Sequence, residues 1–324
     1  MSKLSVRGLR AYYMTEAGPL RAVDGVSFEL DQNEIIGIVG ESGSGKSSLG
    51  AALMHSMQPP GKMLEGTIEL DGHNISQLSE PIFNHKIRWK KVSMVFQGAM
   101  NVLDPVYTIE SQLIEILREH GVDQRRWKEK ISVSLQSVGL DPAIGRRYPH
   151  ELSGGMKQRV VIAMAILLQP DLLIADEPTT ALDVLMQKKI IDLLKKLRNE
   201  RKMNVILVSH DLALMSSIAD KLAIMYAGHI VEIGSTKEIY KNPRHPYTQA
   251  LIKAIPRLPS EDKKIHFIPG SPQALVDPHK GCRFYERCPY AMEVCKNSVP
   301  EFSTESGYVR CWLYDPASCI ENSN

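Results

Sequence analysis

Ile35-Ile36-Gly37-Ile38-Val39-Gly40-Glu41-Ser42-Gly43-Ser44-Gly45-Lys46-Ser47 runs from an unbroken apolar pentapeptide into a glycine-rich turn, and a helical pattern over residues 48–54 follows directly. A short apolar run bounded by glycine predicts a buried strand. The spacing Gly-x-x-x-x-Gly-Lys-Ser is a phosphate-loop pattern. Glycines at positions 40, 43 and 45 let the backbone bend so that successive N–H groups face phosphate oxygens. The helix behind them adds the positive end of its dipole. On this reading Lys46 reaches the β- and γ-phosphates, the Ser47 hydroxyl binds Mg²⁺, and Ser42, Ser44 and Ser48 complete the cradle. A strand before and a helix after separate this pattern from an ordinary glycine-rich turn.

Working outward, Leu172–Ala175 is an apolar strand that ends in Asp176-Glu177. Such a strand carries its terminal acids to the sheet edge where phosphates are met. Asp176 is expected to hold Mg²⁺ through water and Glu177 to polarise the attacking water. An acidic pair can also simply end a strand; its position after a phosphate loop in chain order favours the chemical reading. Leu20–Leu30 and Thr67–Leu70 read as strands of a separate antiparallel layer. From about Thr108 to Gly139 the pattern is helical, with Ile109, Leu113, Ile116 and Leu117 at intervals of three and four. A further strand, Val205–Val208, precedes Ser209-His210-Asp211. Strands alternating with helices predict a mainly parallel α/β sheet. Beyond about Tyr240 prolines crowd in, and the chain reads as an irregular C-terminal extension.

Composition narrows the class. With 43% hydrophobic and 23% charged residues, the 324-residue chain is an ordinary globular protein with ample material for a core. A net charge of +2 is too small to suggest a nucleic-acid partner. No run approaches the roughly 20 apolar residues that cross a bilayer. The N-terminus has no apolar signal core, so a cytosolic protein that keeps its first residues is expected.

Leu152-Ser153-Gly154-Gly155-Met156-Lys157-Gln158-Arg159 opens another helix with a hydroxyl and two glycine amides, a second anion-binding terminus. This octapeptide resembles the ABC signature motif. The usual fifth residue is Gln, and Met156 is the variant common in peptide-type importers. The resemblance covers about residues 3–250. It implies an ABC ATPase core: a mainly parallel sheet, an antiparallel β-subdomain and a helical subdomain over about 100–165. In that family the signature of one subunit faces the phosphate loop of another, so Ser153, Gly154 and Gly155 are expected to complete a partner's site in a head-to-tail dimer. The resemblance also gives Gln97 the role of sensing Mg²⁺ and water, Asp183 that of communicating across the dimer, and His210 that of contacting the γ-phosphate. Tyr13 is matched to the aromatic that stacks on adenine, with adjacent Tyr12 as the other candidate.

All five cysteines fall at or after Cys282. An oxidised secreted fold would spread its bridges, so the clustering predicts a local site. Cys282, Cys288, Cys295 and Cys311 are separated by five, six and fifteen residues, which is neither a zinc knuckle nor a standard ferredoxin run. Four soft thiolates suit an iron–sulfur cluster or zinc; reduced structural cysteines or a disulfide are the alternatives. The surrounding Gly281-Cys282-Arg283-Phe284, Arg287-Cys288-Pro289 and His245-Pro246-Tyr247-Thr248 resemble the C-terminal region of oligopeptide and dipeptide importer ATPases. That likeness implies a [4Fe–4S] cluster on Cys282, Cys288, Cys295 and Cys311, with Cys319 spare.

Taken together, the resemblance implies an ATP-hydrolysing nucleotide-binding domain over 1–250 and a cysteine-bearing domain over 251–324. The implied assembly is a peripheral subunit on the cytoplasmic face of the membrane. Its partners would be two membrane-spanning permease subunits, a second ATPase subunit and, indirectly, an extracytoplasmic peptide-binding protein, with no nucleic acid. Dipeptides, longer peptides and nickel chelates all stay open as cargo. A soluble ABC ATPase of DNA repair or ribosomes is the rival, though the tandem cassettes, coiled coils or zinc modules usual there are missing from the sequence.

Overall fold

The computed structural model describes residues 3–98, 101–255, 268–271 and 273–315. The prolines at 256, 259 and 272 and Cys319 lie outside the described residues. In chain order the chain begins with β1 (Leu4–Thr15), β2 (Gly18–Leu30), β3 (Ile35–Val39), α1 (Lys46–Leu53), β4 (Gly61–Leu70), β5 (His73–Asn74), α2 (Glu80–Lys86) and β6 (Val92–Val95). The middle holds α3 (Ile109–Glu119), α4 (Trp127–Ser137), α5 (Gly154–Ile166), β7 (Leu172–Asp176), α6 (Val184–Arg201) and β8 (Asn204–Ser209). It closes with α7 (Leu212–Ser216), β9 (Lys221–Tyr226), β10 (His229–Ser235), α8 (Thr236–Lys241), α9 (Pro246–Lys253), β11 (Phe302–Ser303) and β12 (Tyr308–Val309). These elements form two compact units, one built around Leu30–Glu34 and Glu69–Val208, the other from Ser5–Glu29, Ile35–Ile68 and the chain from Ser209 onward.

In the first unit β6, β7 and β8 are parallel, with Val95 opposite Ala175 and Ala175 opposite Leu207. β6, β7 and β8 are buried along their whole lengths. That explains their continuous apolar runs, since a parallel strand covered on both faces has no polar side to alternate with. The expected helical region is α3, α4 and α5, which pack on one another. Thr108 caps α3 by accepting from the Ser111 N–H.

In the second unit β3 pairs parallel with β9, placing Val39 opposite Ile224, and β9 pairs antiparallel with β10. The expected antiparallel layer is present: β1 lies between β2 and β4. The chain beyond Tyr240 is more regular than its prolines suggest. Pro246 is the first residue of α9, where its missing N–H costs nothing, and His245 caps that helix by accepting from the Tyr247 N–H at 3.1 Å. Past residue 268 short 3₁₀ turns dominate, but β12 adds to β10, with Val309 opposite Glu232.

A buried carboxylate ties the ends of this unit together. Asp24 accepts from the Tyr12 hydroxyl at 2.7 Å and pairs with Arg283, whose guanidinium also donates to the Ala227 carbonyl. Arg10 Nε stands 3.3 Å away. Burial alone would raise the Asp24 pKa; hydrogen bonds from His229 and Tyr12 and the Arg283 charge outweigh it and hold the carboxyl well below its usual range. A depressed folded pKa contributes stability above the unfolded value near 4, and that contribution fades as pH falls toward the folded value. Asp24→Asn is therefore expected to destabilise this unit by about 3–5 kcal/mol in urea unfolding at neutral pH. The gap to wild type should narrow below about pH 4; a constant gap would remove charge as the cause.

Candidate active site

The turn after β3 has almost no room for side chains. Gly45 caps α1 in a left-handed conformation (φ 102°), and a Cβ there would strike the Ala22 carbonyl; one on Gly40 would strike the Met225 carbonyl. Gly43 also has positive φ, at 78°. Ser44 is buried and its carbonyl accepts from the Gly228 N–H at 2.8 Å. Lys46, also buried, spans the turn, donating to the Gly40 and Glu41 carbonyls at 2.9 and 2.8 Å. Ser42, Gly43 and Ser47 are exposed and Ser48 is half-buried in the first turn of α1. The result is a rigid loop with its lysine drawn across it and a helix terminus behind it, which can accept phosphate oxygens.

Of the two tyrosines, Tyr12 is committed to Asp24, and burial, then that hydrogen bond, push its phenol up to about 12. Tyr13, on the other face of β1, lies beside Gly61, where a Cβ would meet its ring. His210 is exposed just after β8, and Asp211 next to it caps α7 by accepting from the Leu214 N–H at 2.9 Å.

In the first unit Asp176 is the last residue of β7 and is buried. Glu177 follows with a positive φ of 46°, and its N–H donates to the Val208 carbonyl at 2.9 Å. Its Oε2 accepts from Gln97 Nε2 at 3.2 Å and from the Thr180 hydroxyl at 2.9 Å. The structure thus brings Gln97 and Glu177 together and adds Thr180, which has no role in the sequence-based expectations. A hydroxyl three residues after the glutamate was the available signal. A carboxylate oriented by an amide and a hydroxyl is arranged to accept a hydrogen bond from water.

The signature stretch begins α5. Ser153 caps it, accepting from the Met156 N–H at 3.4 Å, and Ser153 and Gly154 are exposed. Gly155 is buried, and a Cβ on it would strike the tip of Met186. Its glycine therefore serves packing against the start of α6, which Asp183 caps by accepting from the Met186 N–H at 2.9 Å.

Cys282, Cys288, Cys295 and Cys311 carry no disulfide and line one small cavity with His245, Tyr285 and Trp312. Burial pushes the Cys282 thiol up to about 11 and that of Cys311 to about 12. Among the described residues no group of three or more His, Cys, Asp or Glu side chains is placed to hold a metal ion. The disulfide alternative is not realised at these four thiols, and neither the expected iron–sulfur cluster nor zinc finds a ready ligand grouping there.

A family model described as "ABC transporter" matches residues 23–180, and one described as "Oligopeptide/dipeptide transporter, C-terminal region" matches residues 231–295. The dipeptide transport ATP-binding protein DppD of Caldanaerobacter subterraneus is 43% identical over 96% of this chain and 97% of its own. The chain belongs to the ABC transporter ATP-binding proteins of the oligopeptide/dipeptide type. DppD of Escherichia coli is 41% identical over 93% of this ABC ATPase and 92% of its own length, and the oligopeptide transport ATP-binding protein AmiE of Streptococcus pneumoniae 42% over 91% and 84%. Among solved structures, the dimeric ATP-binding cassette MJ0796 in a post-hydrolysis state with ADP and Pi is 26% identical, with a TM-score of 0.63 over 72% of this chain and 98% of that one. This ABC ATPase is accordingly an ATP-hydrolysing transport subunit. Among the described residues no helix is long and apolar enough to cross a membrane.

The loop geometry yields a direct test. Gly45→Ala should cost about 1–2 kcal/mol for the left-handed backbone alone, beyond the clash with Ala22, and should abolish binding of a fluorescent ATP analogue. Wild-type binding in that variant would show that the loop can relax.

Proposed function

We propose that this chain couples ATP hydrolysis to import of di- and oligopeptides, working as one half of a head-to-tail pair of cassettes. The pair would sit on the cytoplasmic face of two membrane-spanning permease subunits that receive peptide from an extracytoplasmic binding protein. The observation that carries the reading is the exposed start of α5 at Ser153 and Gly154, a second anion-binding helix terminus in a chain that already has a phosphate loop. The C-terminal match and the named activities of the DppD and AmiE relatives support peptides as cargo. The working division is a nucleotide-binding domain over 1–250 and a cysteine-bearing domain over 251–324.

In this reading the Gly40–Ser48 backbone and the Lys46 ammonium hold the triphosphate, and Tyr13 stacks on adenine, Tyr12 being taken by Asp24. Glu177, oriented by Gln97 and Thr180, accepts the hydrogen bond of the attacking water. His210 contacts the γ-phosphate. Ser153 and Gly154 serve the partner's nucleotide, Gly155 permits the close packing that keeps them in place, and Asp183 relays between subunits. The hard oxygens of Ser47, Asp176 and Gln97 suit Mg²⁺, which when bound neutralises phosphate charge. Glu177→Gln is expected to leave ATP affinity near wild type and to cut turnover by about 10²–10⁴-fold, read from phosphate release. Turnover at the wild-type rate would take Glu177 out of this role.

The four thiols, those of Cys295 and Cys311 buried and those of Cys282 and Cys288 half-buried, are the proposed ligands of a [4Fe–4S] cluster with a structural role. Their softness and their common cavity support a thiophilic metal centre, and the likeness to the peptide-importer C-terminal region favours the cluster over zinc. Anaerobically purified protein should then absorb near about 400 nm and hold about four iron atoms per chain. Colourless protein with stoichiometric zinc would overturn the assignment.

A further inference from the structure

The phosphate loop contains a carboxylate where an anionic ligand is to be bound. Glu41 directly follows Gly40, and Lys46 donates to its backbone carbonyl at 2.8 Å. Two charges of like sign a few ångströms apart repel by about 1–4 kcal/mol near a protein surface, so an uncovered Glu41 would oppose the triphosphate. The side chain is not uncovered. Arg287 grips it with both guanidinium arms, Nη1 to Oε2 at 2.7 Å and Nη2 to Oε1 at 2.9 Å. Nη1 also donates to the Tyr226 hydroxyl at 3.2 Å, and Nε to the Pro269 carbonyl at 2.7 Å. The Arg287 side chain is only 6% exposed and that of Glu41 24%. A bidentate, shielded pair of this kind fixes direction as well as charge. Its hydrogen bond to Glu41 raises the Arg287 pKa further, so the cation persists at any working pH.

The same segment holds the loop at a second point. The Glu41 N–H donates to the Tyr247 hydroxyl at 2.8 Å, and the Tyr247 ring packs on Phe284 with centroids 5.4 Å apart. Phe284 and Arg287 both lie between Cys282 and Cys288, two of the four thiols that line the cysteine cavity. What holds those thiols therefore also holds the arginine and the aromatic ring that restrain Glu41.

We propose that Arg287 is a positioning residue for the phosphate loop, masking the Glu41 charge and turning it from the nucleotide, and that through it the thiol-lined module sets ATP affinity. The inference rests on Gly40–Ser47 being the ATP site. Its distinguishing consequence is a rescue: if the defect of an Arg287 variant is the exposed Glu41 charge, then removing that charge repairs it. Full-length chain, purified anaerobically and checked by circular dichroism, is titrated with Mg·ATP by calorimetry. Arg287→Ala is expected to raise the ATP Kd about tenfold, on the scale of one uncompensated neighbouring charge, and Arg287→Lys by less. Glu41→Gln alone should change little, and Arg287→Ala/Glu41→Gln should return to within about twofold of wild type, the signature of a coupled pair. The Arg287→Ala defect should also shrink as salt is raised. Cys288→Ser should weaken ATP binding in the wild-type background and be relieved by Glu41→Gln. An Arg287→Ala Kd equal to wild type, or a double variant as weak as the single, overturns the charge-masking role. An unchanged Kd in Cys288→Ser overturns the link to the thiols. Lys46→Ala should lose ATP binding; if it does not, the reading of the loop fails instead of the coupling.

Discussion

Backbone amides can converge on a phosphate only where nothing projects into the concavity, and the turn after β3 meets that condition because its neighbours leave no alternative. The Met225 carbonyl stands where a Cβ of residue 40 would be, and the Ala22 carbonyl where one of residue 45 would be. Both neighbours are placed by strand pairing. β3 and β9 run parallel with Val39 opposite Ile224, which brings residue 225 beside the loop, and β2 supplies residue 22. The Ser44 carbonyl is tied to Gly228 just beyond β9. The loop is thus an extension of the sheet register, and its lysine is drawn inward over the backbone carbonyls of Gly40 and Glu41.

Charge is handled in the same unit by burying acids beside arginines. Asp24 gathers Tyr12, Arg10 and Arg283; Glu41 takes Arg287. Both arginines of the pairs with side chains largely hidden from water come from the cysteine segment, so the C-terminal region supplies the cations that the β-layer and the loop need. Glu232 performs the converse task. Its buried carboxylate accepts the N–H groups of Arg244 and His245 at 2.8 and 2.9 Å, fixing the approach to α9 and hence Tyr247. Removing the arginine from either ion pair would leave a desolvated carboxylate, which is why Arg283 and Arg287 are expected to be intolerant of single substitutions.

The surroundings of Glu177 in the other unit are organised more locally. Glu177 is held by Thr180, three residues on, and by Gln97 from just after β6. The neighbouring helix start has Asp183 as its cap, with Met186 filling the space that Gly155 leaves open. The two glycines that open α5 differ in surroundings: Gly154 faces solvent, and Gly155 packs against a methionine.

Much of this was legible from the chain because the signals are local. A phosphate loop is a backbone shape set by glycines within eight residues, a cap lies three residues from the amide it satisfies, and a buried strand shows itself as an apolar run. Gly40–Ser47, Asp176-Glu177, Ser153 and the order of strands and helices are of this kind. Position-dependent meaning was not legible. Proline at 246 reads as a breaker until His245 and Glu232 make it the first residue of a helix. Tyr13 is matched to the adenine with adjacent Tyr12 as the alternative, and only the fold shows that Tyr12 faces Asp24 and Tyr13 faces Gly61. Arg287 and Glu41 stand 246 positions apart, and no periodicity links them. Residue types and short spacings specify which groups can meet a phosphate; which carboxylate is masked, and by what, depends on long-range burial, because a charge acquires its partner only once folding has removed the water that would otherwise solvate it.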